Sequence, residues 1–285
     1  MKIIMRLFVL TVLLSGCFFT TIKASEPWQN PQLSFEQRTN DLVSRLTLEE
    51  KTELMRFDSP GIDRLGIKAY NWWNECLHGV ARSGQATVFP QAIGMAAMWD
   101  TNQMFDIANA ISDEARAKYH HYQRQEKYGI YQGLTFWTPN INIFRDPRWG
   151  RGMETYGEDP FLTAEMAIPF IKGLQGDDPR YLKLVATVKH FAVHSGPEST
   201  RHSATVWPTD YDLYETYLPH FERTIKEGGA YSVMCAYQRL RGIPCCGSEF
   251  LENILRNNWD FQGYIVSDCG AIQDFYEKKA HNMVA

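Results

Sequence analysis

The 285 residues are enough for one large domain or two small ones around a hydrophobic core, and 44% hydrophobic against 22% charged residues exclude a disordered chain. A net charge of -4 gives no argument for nucleic acid as a partner. The aromatic content, Trp 8, Tyr 14 and Phe 16, suits stacking on sugar rings and equally suits an ordinary large core.

The chain opens with Lys2 and Arg6 ahead of an apolar run from Leu7 to Leu14. That run is too short to span a bilayer and sits where an export signal sits. Two cleavage readings compete within residues 1–24. Leu14, Ser15, Gly16 and Cys17 have the form of a bacterial lipobox with Cys17 lipidated, whereas Ile22, Lys23 and Ala24 would end an ordinary signal before Ser25. Lipidation is preferred because Cys17 directly follows small residues, although Phe18 and Phe19 make an unusual tether. Either way the mature chain is expected to be exported, periplasmic or lipid-anchored to a bacterial outer membrane. Of Cys17, Cys76, Cys235, Cys245, Cys246 and Cys269, none shows the paired short spacing of a metal site. They read as buried thiols with room for one bridge, and no metal or cofactor is expected.

Leu42, Leu46 and Leu54 carry helical periodicity between Phe35 and Met55, and Thr47 with Glu50 has the form of a capping box, so two short helices in succession are predicted. Ala69 to Trp73 reads as a short strand ending at Asn74, Glu75 and His78. Met104, Ile107, Ala108, Ile111 and Ala115 share one helical face, with Asp100 or Thr101 as the cap. Gly133 to Ile143 is strand-like and ends in Asn140 and Asn142. Then comes the most unusual polar stretch, with Arg145, Asp146, Arg148, Trp149, Arg151, Glu154, Glu158 and Asp159 among glycines. It describes a rigid, internally paired loop, a salt-bridge knot for Arg145 and Arg148, with Arg151 free to present its fork to a ligand.

Phe161 to Leu174 reads as a helix and Leu184 to Val188 as a buried strand with Lys189 and His190 at its end, two residues costly to bury unless they bind something. His194, Glu198, Arg201 and His202 follow in a loop expected to fold over the same opening. A helix from about Asp210 to Lys226 stops at Gly228 and Gly229, a strand runs from Tyr231 to Ala236 with Tyr237 at its tip, and Ser248 to Asn257 is a shorter helix. The last strand, Tyr264 to Val266, ends in Ser267 and Asp268. Asp268 is either a helix cap or a carboxylate carried into a cleft.

Strand and helix thus alternate, with polar tips at Glu75, Asn140, Lys189, Tyr237 and Asp268 spaced far enough apart for crossover connections. An open nucleotide-binding sheet is disfavoured, because its early glycine-rich turn is missing. A barrel collects side chains from successive strand ends into one site, so an α/β fold with a parallel barrel is favoured.

Tyr70 to Ala81, Phe89 to Asp100, Arg145 to Pro160, Lys189 to Pro197, Ser232 to Tyr237 and Tyr264 to Gly270 together resemble the N-terminal part of glycoside hydrolase family 3 enzymes, in particular the bacterial β-xylosidase and β-glucosidase branch. The resemblance implies an incomplete (β/α)8 TIM-like barrel over residues 25–285 and a retaining, exo-acting enzyme on β-linked xylo- or gluco-oligosaccharides. It makes Asp268 the nucleophile and Lys189, His190, Arg151, Arg201 and Tyr237 the groups that hold the sugar, with Glu75 binding hydroxyls on its far side. Glu75 beside Trp72 or Trp73 implies a pentose pocket, because glucose-preferring members commonly carry the shorter Asp and the extra methylene would clash with a hexose C6 group.

The family resemblance also implies a C-terminal α/β sandwich domain that supplies the acid/base Glu. Ending at Ala285, the chain reads as a fragment or truncated product without that domain, expected to turn over ordinary glycosides poorly and to expose an unclosed sheet edge. The alternatives are a β-glucosidase and a noncatalytic carbohydrate-binding remnant. An N-acetylglucosaminidase is disfavoured by the long arginine-rich stretch.

Overall fold

The structure, a computed structural model, describes residues 26–283. Both candidate cleavage sites, Cys17 and the one before Ser25, lie outside the described residues. The chain divides into two compact units, Met1–Lys51 and Thr52–Ala285.

In the first unit, α1 (Phe35–Arg45) begins at Ser34, whose hydroxyl accepts from the Gln37 N–H while the Gln37 side chain accepts from the Ser34 N–H. Arg45 bridges Asp41 and Glu26, and Asp41 also accepts from the Trp28 N–H. The predicted second helix is α2 (Leu48–Leu54), which crosses the unit boundary and starts with the expected Thr47–Glu50 capping box.

The second unit opens with a small antiparallel pair, β1 (Asp58–Ser59) and β2 (Tyr70–Asn71). The run expected to be a strand through Trp73 therefore leaves regular pairing after Asn71. Next come α3 (Ala92–Ala96) and α4 (Thr101–Arg124); Asp100 caps α4 by accepting from the N–H groups of Asn102 and Gln103. The predicted apolar face of α4 is buried, and α4 packs along α5 (Pro160–Gln175). Gly173 allows that approach, since a Cβ there would come 2.6 Å from the Phe105 carbonyl oxygen and 2.7 Å from the Ala108 methyl.

The main sheet is four-stranded and wholly parallel, in the order β3 (Thr135–Phe136), β4 (Val185–Phe191), β6 (Ser232–Cys235), β9 (Tyr264–Ser267). It is the curled half-barrel that the alternation of strands and helices predicts. β3 is much shorter than the run from Gly133 to Ile143, because Pro139 has no N–H to continue the ladder. Pairing resumes only as an isolated bridge between Asn140 and Lys189.

After β4, the predicted long helix is broken into α6 (Asp210–Asp212), a π turn (Leu213–Tyr217) and α7 (Pro219–Lys226). Pro219 cannot donate to the turn before it, and the Leu218 N–H reaches back to Leu213 instead. Similarly, α8 (Glu249–Asn253), capped by Ser248, gives way to a π turn (Ile254–Asn258).

A three-stranded sheet was not legible in the sequence: β5 (Thr205–Val206), β7 (Arg239–Leu240) and β8 (Ile243–Pro244). Arg241 and Gly242, both at positive φ, make the two-residue turn between β7 and β8. Among the described residues one bridge forms, Cys235–Cys246, tying the end of β6 to the turn before α8, while Cys76, Cys245 and Cys269 remain thiols.

Candidate active site

Parallel strands point all their carboxyl ends the same way, so the residues after β3, β4, β6 and β9 meet at one edge of the sheet. There a cavity of about 390 Å³ is lined by Trp73, Glu75, Arg151, Lys189, His190, Arg201, Tyr237 and Asp268. These are the expected site residues with one exception. Trp72 faces elsewhere: its indole N–H donates to the Ser59 hydroxyl at 3.0 Å, and its ring packs edge-on against Tyr70 and Tyr264. Adjacent residues in an extended segment point to opposite sides, and Trp73 has the cavity side.

Lys189 and His190 do not follow β4 as expected; they lie within it, at a bulge. Lys189 pairs with Met234 and Phe191 with Cys235, so His190 is the extra residue. A bulge re-aims side chains, and here it lets two consecutive residues line one cavity. The Lys189 ammonium is 3.6 Å from Glu75 Oε2, and Glu75 Oε1 accepts from the Trp73 indole N–H at 2.9 Å. Trp73 in turn stacks on Trp137 with centroids 5.1 Å apart. His190 is held from behind by Asn142, whose Oδ1 accepts from the His190 backbone N–H at 2.9 Å and lies 2.8 Å from Nδ1.

Asp268 is 7% exposed. Its Oδ1 accepts from the Cys269 N–H at 2.7 Å, and Oδ2, 3.5 Å from His190 Nε2, has no hydrogen-bond partner among the described residues. Burial pushes the Asp268 carboxyl above its usual range, against the pull of the Lys189 charge, the Cys269 N–H, the Tyr237 hydroxyl and Arg151. Burial, and then the cations and His194 nearby, hold the His190 imidazole well below its ordinary value.

The arginine-rich loop is internally paired, with two corrections. Arg148 pairs with Asp146 at 2.6 Å, but Arg145 is not in a carboxylate knot: it donates to the Tyr217 hydroxyl at 2.9 Å and lies over that ring. The Arg151 fork is not free for a ligand either. It is engaged by Glu154 through bonds of 2.9 and 2.7 Å, although Arg151 still lines the cavity. Burial works against its charge, and Glu154, with the Asp268 and Glu198 carboxylates, together more than offset it. Gly152 permits this turn, because a Cβ there would meet the Phe144 ring at 2.2 Å.

The loop after β4 behaves as expected in part. Arg201 pairs with Glu198 at 2.8 Å and lies over the Tyr237 ring, 5.1 Å from its centroid. His194 is buried behind His190, bonded to Gln238, with its pKa lowered by burial to about 4. His202 bonds Asp274 at 2.7 Å. Trp137, Glu154, Arg82, Met234 and Cys269 also line the cavity without having been singled out. The spacing of Arg151 and Glu154 across a glycine-flanked turn was the available signal for one of them. Among the described residues, no cluster of three or more His, Cys, Asp or Glu side chains is arranged to hold a metal ion.

A family model described as "Glycosyl hydrolase family 3 N terminal domain" matches residues 37–284. The chain is 53% identical over 256 residues to a xylan 1,4-beta-xylosidase of Xylanibacter ruminicola, covering 88% of this chain and 30% of that protein. It is 43% identical to the probable beta-D-xylosidase 7 of Arabidopsis thaliana, covering 87% and 34%. Among solved structures, a GH3 exo-beta-xylosidase in complex with a xylobiose aziridine probe superposes with a TM-score of 0.82 at 34% identity, over 90% of this chain and 34% of the other. A GH3 beta-glucosidase of Bifidobacterium adolescentis gives 0.68 at 29%, over 80% and 32%. The chain thus spans about a third of the length of the curated relatives it matches.

Proposed function

The chain belongs to glycosyl hydrolase family 3, and from that premise we propose that it carries the nucleophile and the sugar-binding pocket of a retaining, exo-acting β-xylosidase. The substrates would be β-linked xylo-oligosaccharides, cleaved at the nonreducing end. The observation that carries this reading is the buried carboxylate of Asp268 at the end of β9, inside one cavity with Lys189, His190, Arg151, Arg201, Tyr237 and Glu75.

An Asp268 oxygen attacks the anomeric carbon and the glycosidic C–O bond breaks, leaving an acylal ester between sugar and enzyme. The departing oxygen takes a proton from a general acid, which we assign to the second family domain, outside these 285 residues, about 5 Å from the nucleophile. Water, deprotonated by the same group, then attacks the anomeric carbon, freeing xylose and Asp268. Lys189 and Arg201 supply cationic donors for hydroxyls, Arg151, its fork held by Glu154, adds a fixed positive charge, and Glu75 is an acceptor fixed by Trp73. Export through the N-terminal segment, with Cys17 as lipid anchor, completes the proposal and fits an enzyme whose oligosaccharide substrates are met outside the cytoplasm.

β-Glucosidase activity is the second reading, favoured by the similarity to solved β-glucosidases. With the full-length protein, kcat/KM for an aryl β-xyloside is expected to exceed that for the matching β-glucoside; the reverse order would make the pentose assignment wrong.

Lys189 is the charge that most strongly opposes the effect of burial on the Asp268 anion. Removing it in Lys189→Met raises the Asp268 pKa further, so more of the nucleophile is protonated at a given pH. The acid limb of the kcat/KM profile is expected to move to higher pH, by roughly one unit. A profile that keeps its position while activity falls would assign Lys189 to sugar binding alone.

A further inference from the structure

Asn142 has no assigned role, yet its position restricts the chemistry of the pair in front of it. Its side-chain amide is pinned by two contacts with the His190 backbone: Oδ1 accepts from the N–H at 2.9 Å and Nδ2 donates to the carbonyl at 2.9 Å. Turned over, the amide would set donor against donor and acceptor against acceptor, so Oδ1 faces His190 as an acceptor. The ring nitrogen Nδ1, 2.8 Å from the same oxygen, must therefore donate. A neutral imidazole has a single N–H, which leaves Nε2 with a lone pair 3.5 Å from Asp268 Oδ2. Both residues are buried, with His190 1% and Asp268 7% exposed. An ionised Asp268 would then set two acceptors against each other.

We propose that Asn142 is a positioning residue that locks His190 in the Nδ1–H tautomer, so that in the substrate-free site the pair of Asp268 and His190 holds one proton, on the Asp268 carboxyl. This rests on the reading of Asp268 as the nucleophile. The groups facing the pair favour the proton on the carboxyl rather than an imidazolium. Lys189, Arg151 and Arg201 surround His190 with positive charge, His194 stands 4.7 Å away ring to ring, and burial acts in the same direction. Around Asp268, burial opposes the anion more than Lys189, the Cys269 N–H, the Tyr237 hydroxyl and Arg151 support it.

When a sugar enters, one of its hydroxyls donates to Nε2 and Asp268 loses its proton to solvent, leaving the carboxylate that attacks. The proton returns after deglycosylation. His190 thereby accepts from the sugar and does not donate to it, and the acid limb of kcat/KM reports the pair rather than Asp268 alone.

The test compares Asn142→Leu and Asn142→Asp with the parent in the full-length protein. In Asn142→Leu the Nδ1–H loses its acceptor, the N–H moves to Nε2 and donates to the carboxylate. The acid limb is then expected to fall by about one pH unit and KM to rise about tenfold, since Nε2 no longer accepts from the sugar. Asn142→Asp keeps an acceptor for Nδ1–H and so keeps Nε2 as the acceptor, so KM stays within about threefold, while the added negative charge makes the pair hold its proton more tightly and the limb moves up. Should the leucine variant not fold, Asn142→Ala, which removes the same acceptor, takes its place with the same expected fall of the limb and rise of KM. Mass mapping of the residue esterified by an activated 2-fluoro-β-xyloside separates the two readings. A folded variant labelled at Asp268 whose acid limb matches the parent overturns the tautomer lock; esterification of a residue other than Asp268 overturns the nucleophile assignment together with it.

Discussion

Asp268→Asn is expected to lower kcat for aryl β-xylosides by at least about 10⁴-fold, because the amide cannot form the covalent ester and no other group takes over a missing nucleophile. An activated 2-fluoro-β-xyloside should esterify Asp268 in the parent and nothing in the variant, read by peptide mass. The same substitution should make the protein more stable. Burial raises the Asp268 pKa in the folded state above its unfolded value near 4. The stability associated with the neutral carboxyl is fully present below that unfolded value and is lost as pH rises through the folded one. Asn keeps the neutral form at every pH, so thermal unfolding at neutral pH is expected at higher temperature in Asp268→Asn than in the parent. The gap should close as the pH is lowered toward 4. A variant that is inactive and also less stable at neutral pH would mean that the carboxylate holds the fold together, which the cost of burying its charge argues against.

Asp268 also shows how much of the site the residues announce. A short β-branched strand with an acid at its carboxyl end defines a position regardless of how its neighbours pack, and the parallel sheet then brings that position to Lys189 and Tyr237. The helices α4 and α5 were legible for a similar reason: periodicity and caps are local, and both were read from a few residues. What escaped was set by contacts distant in the chain. Trp72 and Trp73 are chemically equivalent in sequence, and only the Ser59 hydroxyl and the Tyr264 ring show which one turns from the cavity. The bulge at His190 depends on β6 offering one residue against two. The sheet β5-β7-β8 consists of two-residue strands, too short for alternation to register, and its turn is Arg-Gly where Asn-Gly would have signalled a hairpin. Arg151 was expected to face a ligand because a guanidinium fork suits one; Glu154 takes the fork, and this leaves Arg151 to act on the site as a fixed charge.

Substrate choice should turn on a single methylene. Glu75 reaches across the cavity mouth to within 3.6 Å of the Lys189 ammonium while Trp73 holds its other oxygen. In Glu75→Asp the carboxylate withdraws toward its own backbone and vacates room of about one methylene, the space a hexose hydroxymethyl group requires. The ratio of kcat/KM for β-glucoside over β-xyloside is expected to rise by about 10–200-fold, the range one methylene in a fitted pocket commands. Most of that change should come from relief of the clash with glucose, with only a modest loss on xylose. Withdrawal also breaks the Trp73 hydrogen bond, and a loosened carboxylate by itself would lower activity on both sugars alike. Trp73→Phe separates the two effects, since it removes the indole donor while Glu75 keeps its length. If the volume argument holds, Trp73→Phe weakens both substrates with the ratio nearly constant, and only Glu75→Asp changes the ratio. Equal ratios in the parent and Glu75→Asp would move the basis of pentose preference away from Glu75, to the rings of Trp73 and Trp137 stacked beside it.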